Sequence, residues 1–183
     1  MIEIRNISVT LGDKRVFIDF SADLPDEGVV LVSGESGIGK TTFLRMLCGL
    51  LKPDSGTIEG LNGRKISVVF QEPRLIEHLT ALENVALVSD RSKAEQLLLA
   101  LKMEGQLHLK AGSLSGGQKQ RVSIARAFAF SDDVVLLDEP FSGLDEQNKQ
   151  NAVQLIRSAR LAILVTHDAG DEALFPIDRK IEL

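Results

Sequence analysis

From its first residues the chain alternates apolar and polar positions. Ile2, Ile4, Ile7, Val9 and Leu11 are apolar between polar neighbours, which predicts a half-buried strand over Met1–Leu11. Gly12-Asp13-Lys14 marks a turn, and Val16–Leu24 reads as the returning strand of a hairpin. Pro25–Gly28 ends it. Val29–Ser33 then reads as a short buried strand, and Thr42–Cys48 as a helix. After a loop at Lys52–Gly56, Thr57–Glu59 and Ile66–Phe70 predict two short strands around a turn at Asn62-Gly63.

The pattern changes between Pro73 and Gly112. Thr80 with Glu83, and Ser92 with Glu95, have capping-box spacing, so each predicts a helix start. The second helix carries Leu97, Leu98 and Leu101 on one side, with Gly105 to close it. Next come a helix over Gln118–Phe130, a buried strand over Val134–Asp138 and a polar-faced helix over Asp145–Arg160. A strand Leu161–Thr166, a short helix near Asp168–Leu174 and a final strand from Ile177 complete the chain. This alternation predicts one α/β domain over residues 1–183, with a mostly parallel sheet and helices on both faces. An antiparallel β-subdomain precedes it, and a short helical subdomain is inserted at about residues 73–130.

Composition narrows the classes. Hydrophobic residues make up 44% of the 183, enough for a core, and the net charge of −5 argues against a general nucleic-acid binder. The single cysteine, Cys48, allows no internal disulfide and sits among apolar residues, so packing is its expected role. No apolar run approaches the roughly 20 residues of a membrane span, and the opening alternation is not a signal peptide. These readings predict a soluble chain in a reducing compartment. His78 and His108 have no metal-ligand partners at suitable spacing and are expected at the surface.

The chemistry-bearing stretch is Gly34-Glu35-Ser36-Gly37-Ile38-Gly39-Lys40-Thr41, followed by Thr42. It fits G-x-x-x-x-G-K-[ST] between a predicted strand and a predicted helix, the context that makes this pattern a phosphate-binding loop. Its glycines let backbone N–H groups turn toward phosphates at a helix N-terminus, Lys40 reaches the outer phosphates, and the Thr41 hydroxyl ligates Mg²⁺. A nucleoside triphosphate is therefore the expected ligand. Asp138 ends an aliphatic run, at the strand edge where α/β sheets bind ligands, and is suited to hold Mg²⁺. Glu139 points differently and is suited to polarise the attacking water. An Asp-Glu pair is common in loops; the aliphatic strand before it gives this one its meaning. Leu114-Ser115-Gly116-Gly117-Gln118 opens a helix and offers a second anion site, with Ser115 as the cap.

With these motifs in order, the chain resembles the nucleotide-binding subunits of ABC transporters almost end to end. Gly34–Thr41 is similar to their Walker A loop, Leu114–Gln118 to their signature motif, and Val134–Glu139 to their Walker B strand. Gln71 matches the Q-loop glutamine, Ser142-Gly143-Leu144-Asp145 the D-loop, and His167 the switch histidine. The resemblance implies ATP and Mg²⁺ as cofactors, with Thr41, Gln71 and Asp138 at the metal. It implies catalysis by Glu139, His167 and Lys40. It further implies a head-to-tail dimer, with itself or a related cassette, in which Ser115, Gly116, Gly117 and Gln118 face the partner's ATP and Asp145 couples the sites. Transmembrane permease subunits, joined in an importer by a solute-binding protein, are the implied partners, at the cytoplasmic face of the membrane. Phe70–Leu75, Leu79-Thr80 and Glu83-Asn84-Val85 look most similar to bacterial importer cassettes.

The chain departs from the family where an aromatic residue usually stacks on adenine. It has no Trp or Tyr, and Leu11 occupies that position. Leu11 offers apolar contact without stacking, and Phe17 is the alternative. The helical lobe between Gln71 and Ser115 is short and little chain follows His167, so the resemblance predicts a minimal cassette. A phosphate-loop kinase or GTPase is disfavoured by the signature motif, since Asn148-Lys149-Gln150-Asn151 lacks the final Asp of a guanine-reading motif. A non-transport ATPase of the same family acting with soluble partners is the second reading. A regulatory module that has lost catalysis is opposed by Lys40, Asp138, Glu139 and His167.

Overall fold

The computed structural model describes residues 1–183, the side chain of Ala169 excepted. Two sheets share the chain. The first is antiparallel, in the order β2–β1–β4, from β1 (Ile2–Leu11), β2 (Lys14–Leu24) and β4 (Ser55–Glu59). The second is parallel: β3 (Gly28–Ser33), β5 (Ile66–Val69), β6 (Val134–Asp138), β7 (Leu161–Val165) and β8 (Arg179–Glu182) lie in the order β5–β6–β7–β3–β8.

The central strands read as unbroken apolar runs because both of their faces are covered. Alternate residues then serve different cores. Val30, Val32, Leu136, Ile163 and Val165 pack with Phe43, Leu44 and Leu47 of α1 (Lys40–Leu47) and with Ile2, Ile4 and Val9 of the antiparallel sheet. Val29, Leu31, Val135, Leu137 and Leu164 face the opposite way, toward the remaining helices. These are α2 (Ala81–Ala86), α3 (Arg91–Ala100), α4 (Gly116–Phe130) and α5 (Glu146–Ile156), with the short α6 (Ala169–Glu172) beyond β7. Helices thus cover both faces of the parallel sheet, and on one face α1 shares the task with the antiparallel sheet.

Local differences from the expected elements have local causes. Thr80 caps α2 in a capping box with Glu83, as its spacing predicts. Ser92 does not cap α3. Asp90, two residues earlier, does, its carboxylate accepting from the Lys93 N–H. Gly105 does not close α3 either. The helix ends near Leu101, Lys102 takes the left-handed conformation (φ 57°), and Gly105 falls in the 3₁₀ turn Glu104–Gln106. The helix after Asp145 stops at Ile156, short of Arg160, and the last strand starts at Arg179. Cys48 is half-buried among apolar neighbours, and burial raises its thiol pKa.

Candidate functional site

The loop between β3 and α1 is shaped by three glycines with φ values open mainly to glycine: Gly34 (148°), Gly37 (76°) and Gly39 (130°). At Gly39 a Cβ would also lie 2.6 Å from Val16 Cγ1 and 3.2 Å from the Phe17 ring. No side chain caps α1 at Gly39, which leaves its first N–H groups available to an anion. The Lys40 ammonium donates to the Gly34 carbonyl (2.7 Å) and the Glu35 carbonyl (2.9 Å), so it lies folded over the loop. Lys14, from the β1–β2 hairpin, donates to the Gly37 carbonyl at 2.8 Å. The sequence reading did not single out that second lysine.

Across the cleft, β6 delivers two carboxylates in different directions. Asp138 is 4% exposed and accepts from the Thr41 hydroxyl at 2.7 Å. Glu139 has left the strand conformation (φ 49°), an unfavourable backbone for a side-chain-bearing residue. Its N–H still bonds the Val165 carbonyl at 2.9 Å. The turn swings its carboxylate to His167, with Oε1 2.7 Å from Nδ1. That hydrogen bond, followed by the negative charge behind it, raises the His167 pKa above its ordinary value, against a smaller lowering by Lys40. A carboxylate partner calls for a proton on Nδ1, which leaves Nε2 free.

These groups line one cleft of about 530 Å³, within the size range of small-molecule sites. Lys40, Thr41, Gln71, Asp138, Glu139 and His167 all border it. Ser36, Gly37, Gly39 and Thr42 border it too, whereas Leu11 does not. Gln71 follows β5 and is exposed. The segment after it is held by Arg126 of α4, which donates to the carbonyls of Pro73 and Arg74 at 2.9 Å each. Among the described residues no group of three or more His, Cys, Asp or Glu is arranged to hold a metal. Thr41 and Asp138 instead supply a pair of oxygen donors, which suits a magnesium ion that completes its shell with phosphate oxygens and water.

The signature stretch does not enter this cleft. Ser115 caps α4, accepting from the Gln118 N–H at 3.3 Å while the Gln118 side chain accepts from the Ser115 N–H at 2.9 Å. Ser115, Gly117 and Gln118 open instead onto a second hollow of about 250 Å³, with Gly143 and Asp145 on its other side. Asp145 caps α5 through the Asn148 N–H (2.9 Å), a bond that lowers its carboxyl pKa. Arg121 reaches from α4 to Asn148 Oδ1 (2.9 Å) and to the carbonyls of Leu101 and Lys102 at the end of α3.

Leu11 and Phe17, the residues expected near a base, differ in exposure. Leu11 is 41% exposed at the hairpin end. Phe17 is 5% exposed, its ring 5.5 Å from that of Phe20 and 6.3 Å from that of Phe43, so it offers no free face. Its periodicity in β2 carried the signal: Phe17 falls on the core side of the hairpin.

The comparisons with known proteins agree with this geometry. A family profile described as ABC transporter matches residues 17–142. The Fe(3+) ions import ATP-binding protein FbpC of Agrobacterium fabrum is 39% identical over 96% of this chain and 56% of its own length. The sulfate/thiosulfate import ATP-binding protein CysA of a Synechocystis strain is 35% identical over 98% of this chain and 59% of its own. The chain thus spans somewhat more than half the length of these relatives. The ergothioneine transport ATP-binding protein EgtV of Helicobacter pylori is matched over 90% of its length at 35% identity. In structure, the chain superposes on a dimeric, post-hydrolysis form of the ATP-binding cassette MJ0796 bound to ADP and Pi. That match has a TM-score of 0.86 and 29% identity, and covers 100% of this chain and 94% of that one. The order of its motifs, its two-sheet architecture and these matches together place the chain in the ABC transporter family.

Proposed function

We propose that the chain is the ATP-binding and ATP-hydrolysing subunit of an ABC transporter of the bacterial importer type. It works as a head-to-tail pair, with a second copy or a related cassette, beneath transmembrane permease subunits on the cytoplasmic face of the membrane. One observation carries the reading. Lys40, Thr41, Asp138, Glu139 and His167 share a cleft, whereas Ser115 and Gly117 open onto another hollow, so each chain presents two halves of different sites. A second chain facing the first completes both.

Bound ATP supplies the phosphoanhydride bond, and Mg²⁺ the charge that neutralises its terminal phosphates. The uncapped start of α1 and the glycine loop bind phosphate oxygens, and Lys40 exchanges its loop carbonyls for them. Thr41 and Asp138 would hold the metal, with Gln71 at the cleft edge to sense it. Glu139 accepts the proton of the attacking water. His167 keeps that carboxylate oriented through Nδ1 and turns Nε2 to the cleft. Catalysis of this kind is positioning and charge stabilisation, with no covalent intermediate on the protein.

The test joins a partner experiment to a chemical one. Gentle solubilisation of native membranes and capture of the tagged chain is expected to recover a multi-span membrane protein. Recovery of soluble partners alone, under conditions that preserve other transporters, overturns the transport reading. Glu139→Gln is expected to abolish hydrolysis while ATP drives the chain into a dimer by light scattering. A variant that hydrolyses ATP normally overturns the assignment of Glu139.

A further inference from the structure

We infer that Thr166, Asp171 and Lys149 form a positioning relay that orients the Glu139 carboxylate from helix α5; this rests on the hydrolytic reading of Glu139. Because its backbone is left-handed, the strand does not dictate where the Glu139 side chain points. Outside partners must do so. His167 Nδ1 holds Oε1 at 2.7 Å, and the Thr166 hydroxyl lies 3.4 Å from Oε2.

Thr166 directly follows β7 and is 1% exposed. Its Oγ1 accepts from the Asp168 N–H (3.1 Å), which fixes the oxygen and leaves the hydroxyl proton to be donated once. Two carboxylates compete for that proton: Glu139 Oε2, and Asp171 Oδ2 at 3.5 Å. Both separations exceed the usual O–H···O distance, so the proton is committed to neither.

The balance is set from the far side of Asp171. That carboxylate is 6% exposed, and its Oδ1 accepts from the Lys149 ammonium at 2.7 Å. Lys149 Nζ also lies 4.0 Å from Asp168 Oδ2. With its charge met by Lys149, Asp171 competes weakly and Thr166 can serve Glu139. With Lys149 gone, a buried uncompensated carboxylate draws the proton to itself. Lys149 sits on α5 beside Asn148, which is bonded to Arg121 of α4, and α5 is capped by Asp145. The relay therefore starts on the helix that borders the second hollow and ends at the carboxylate of the first cleft. Thr166, Asp171 and Lys149 are positioning residues in this scheme, and none of them touches the substrate.

The test measures steady-state ATP hydrolysis, ATP binding and thermal stability on the full chain with Mg²⁺. Thr166→Val keeps the shape and removes the hydroxyl, while Thr166→Ser keeps the hydroxyl. Loss of this long, shared hydrogen bond predicts kcat lower by about two- to ten-fold in Thr166→Val, with KM and Kd for ATP changed less than about two-fold. Thr166→Ser should restore most of kcat. Lys149→Met should also lower kcat, and Thr166→Val with Lys149→Met should be no slower than Thr166→Val alone, as one shared path requires. A Thr166→Val enzyme with unchanged kcat, a loss through KM, equal losses in Ser and Val, or additive losses in the double variant each overturn the relay. Glu139→Gln is assayed beside them. If it hydrolyses ATP normally, the reading of Glu139 falls; if it is inactive while Thr166→Val is normal, only the relay falls.

Discussion

Gly117 and Gly116 are adjacent at the start of α4, and replacing each by Ala should have opposite effects. A Cβ on Gly117 would lie 2.2 Å from the Gly143 carbonyl oxygen and 3.1 Å from the carbonyl carbon. Both are main-chain atoms, so no rotamer change relieves the overlap. The start of α4 and the loop at Gly143 must separate by about 1 Å or more to reach ordinary contact. Overpacking of this kind costs about 1–3 kcal/mol, and the helix preference for Ala over Gly returns at most about 1 kcal/mol. The net loss of up to about 2 kcal/mol lowers Tm by up to roughly 8 °C for a chain of this size. At Gly116 nothing lies within 4 Å of the added carbon, so only the favourable helix term remains. Urea denaturation of the two variants reads the difference directly, and light scattering with ATP shows whether Gly117→Ala also loses the proposed nucleotide-dependent dimer. Equal stability of Gly117→Ala and Gly116→Ala would refute the reasoning, because it would mean the close approach of α4 to Gly143 does not exist in solution.

Two further outcomes concern the His167–Glu139 pair and the hairpin end. Because its bond to Glu139 raises the His167 pKa, the stabilisation from this pair is complete below the ordinary histidine value of 6.5 and is lost as pH rises through the raised value. NMR titration should find the His167 midpoint lower in Glu139→Gln than in the parent, and an unmoved midpoint would mean the contact is absent. At the hairpin end, Leu11→Trp adds a stacking surface, which should tighten ATP by about two- to ten-fold. Tripolyphosphate, which has no base, should bind both proteins alike; a parallel change for both ligands would place the effect on the phosphate loop instead.

The candidate site was legible in the sequence wherever its geometry depends on local spacing. The glycines before Lys40 and the hydroxyl of Thr41 act through their own backbone and their own helix start, so eight consecutive residues contain the argument. The capping box at Thr80 and the cap at Ser115 were legible for the same reason, since each cap and its partner are three residues apart. Spacing alone was less reliable where two caps competed. Ser92 and Asp90 both stand near the start of α3, and in the fold it is Asp90 that caps it. Phe17, the alternative to Leu11 as a base contact, shows the same limit: packing buries it against Phe20 and Phe43.

By itself, then, the sequence determined the glycine loop, the two carboxylates after an aliphatic strand, the caps at Thr80 and Ser115 and the order of the elements, because each is written in neighbouring residues. Only the tertiary structure decided what distant residues do to one another. It brought Thr41 to Asp138 and His167 to Glu139, turned Glu139 out of its strand, and set Lys149 and Asp171 behind Thr166. It also kept Ser115 and Gly117 out of the cleft that holds Lys40. Parallel strands explain the difference: each returns to the sheet through a helix, so the ends that meet at one edge come from segments far apart in the chain.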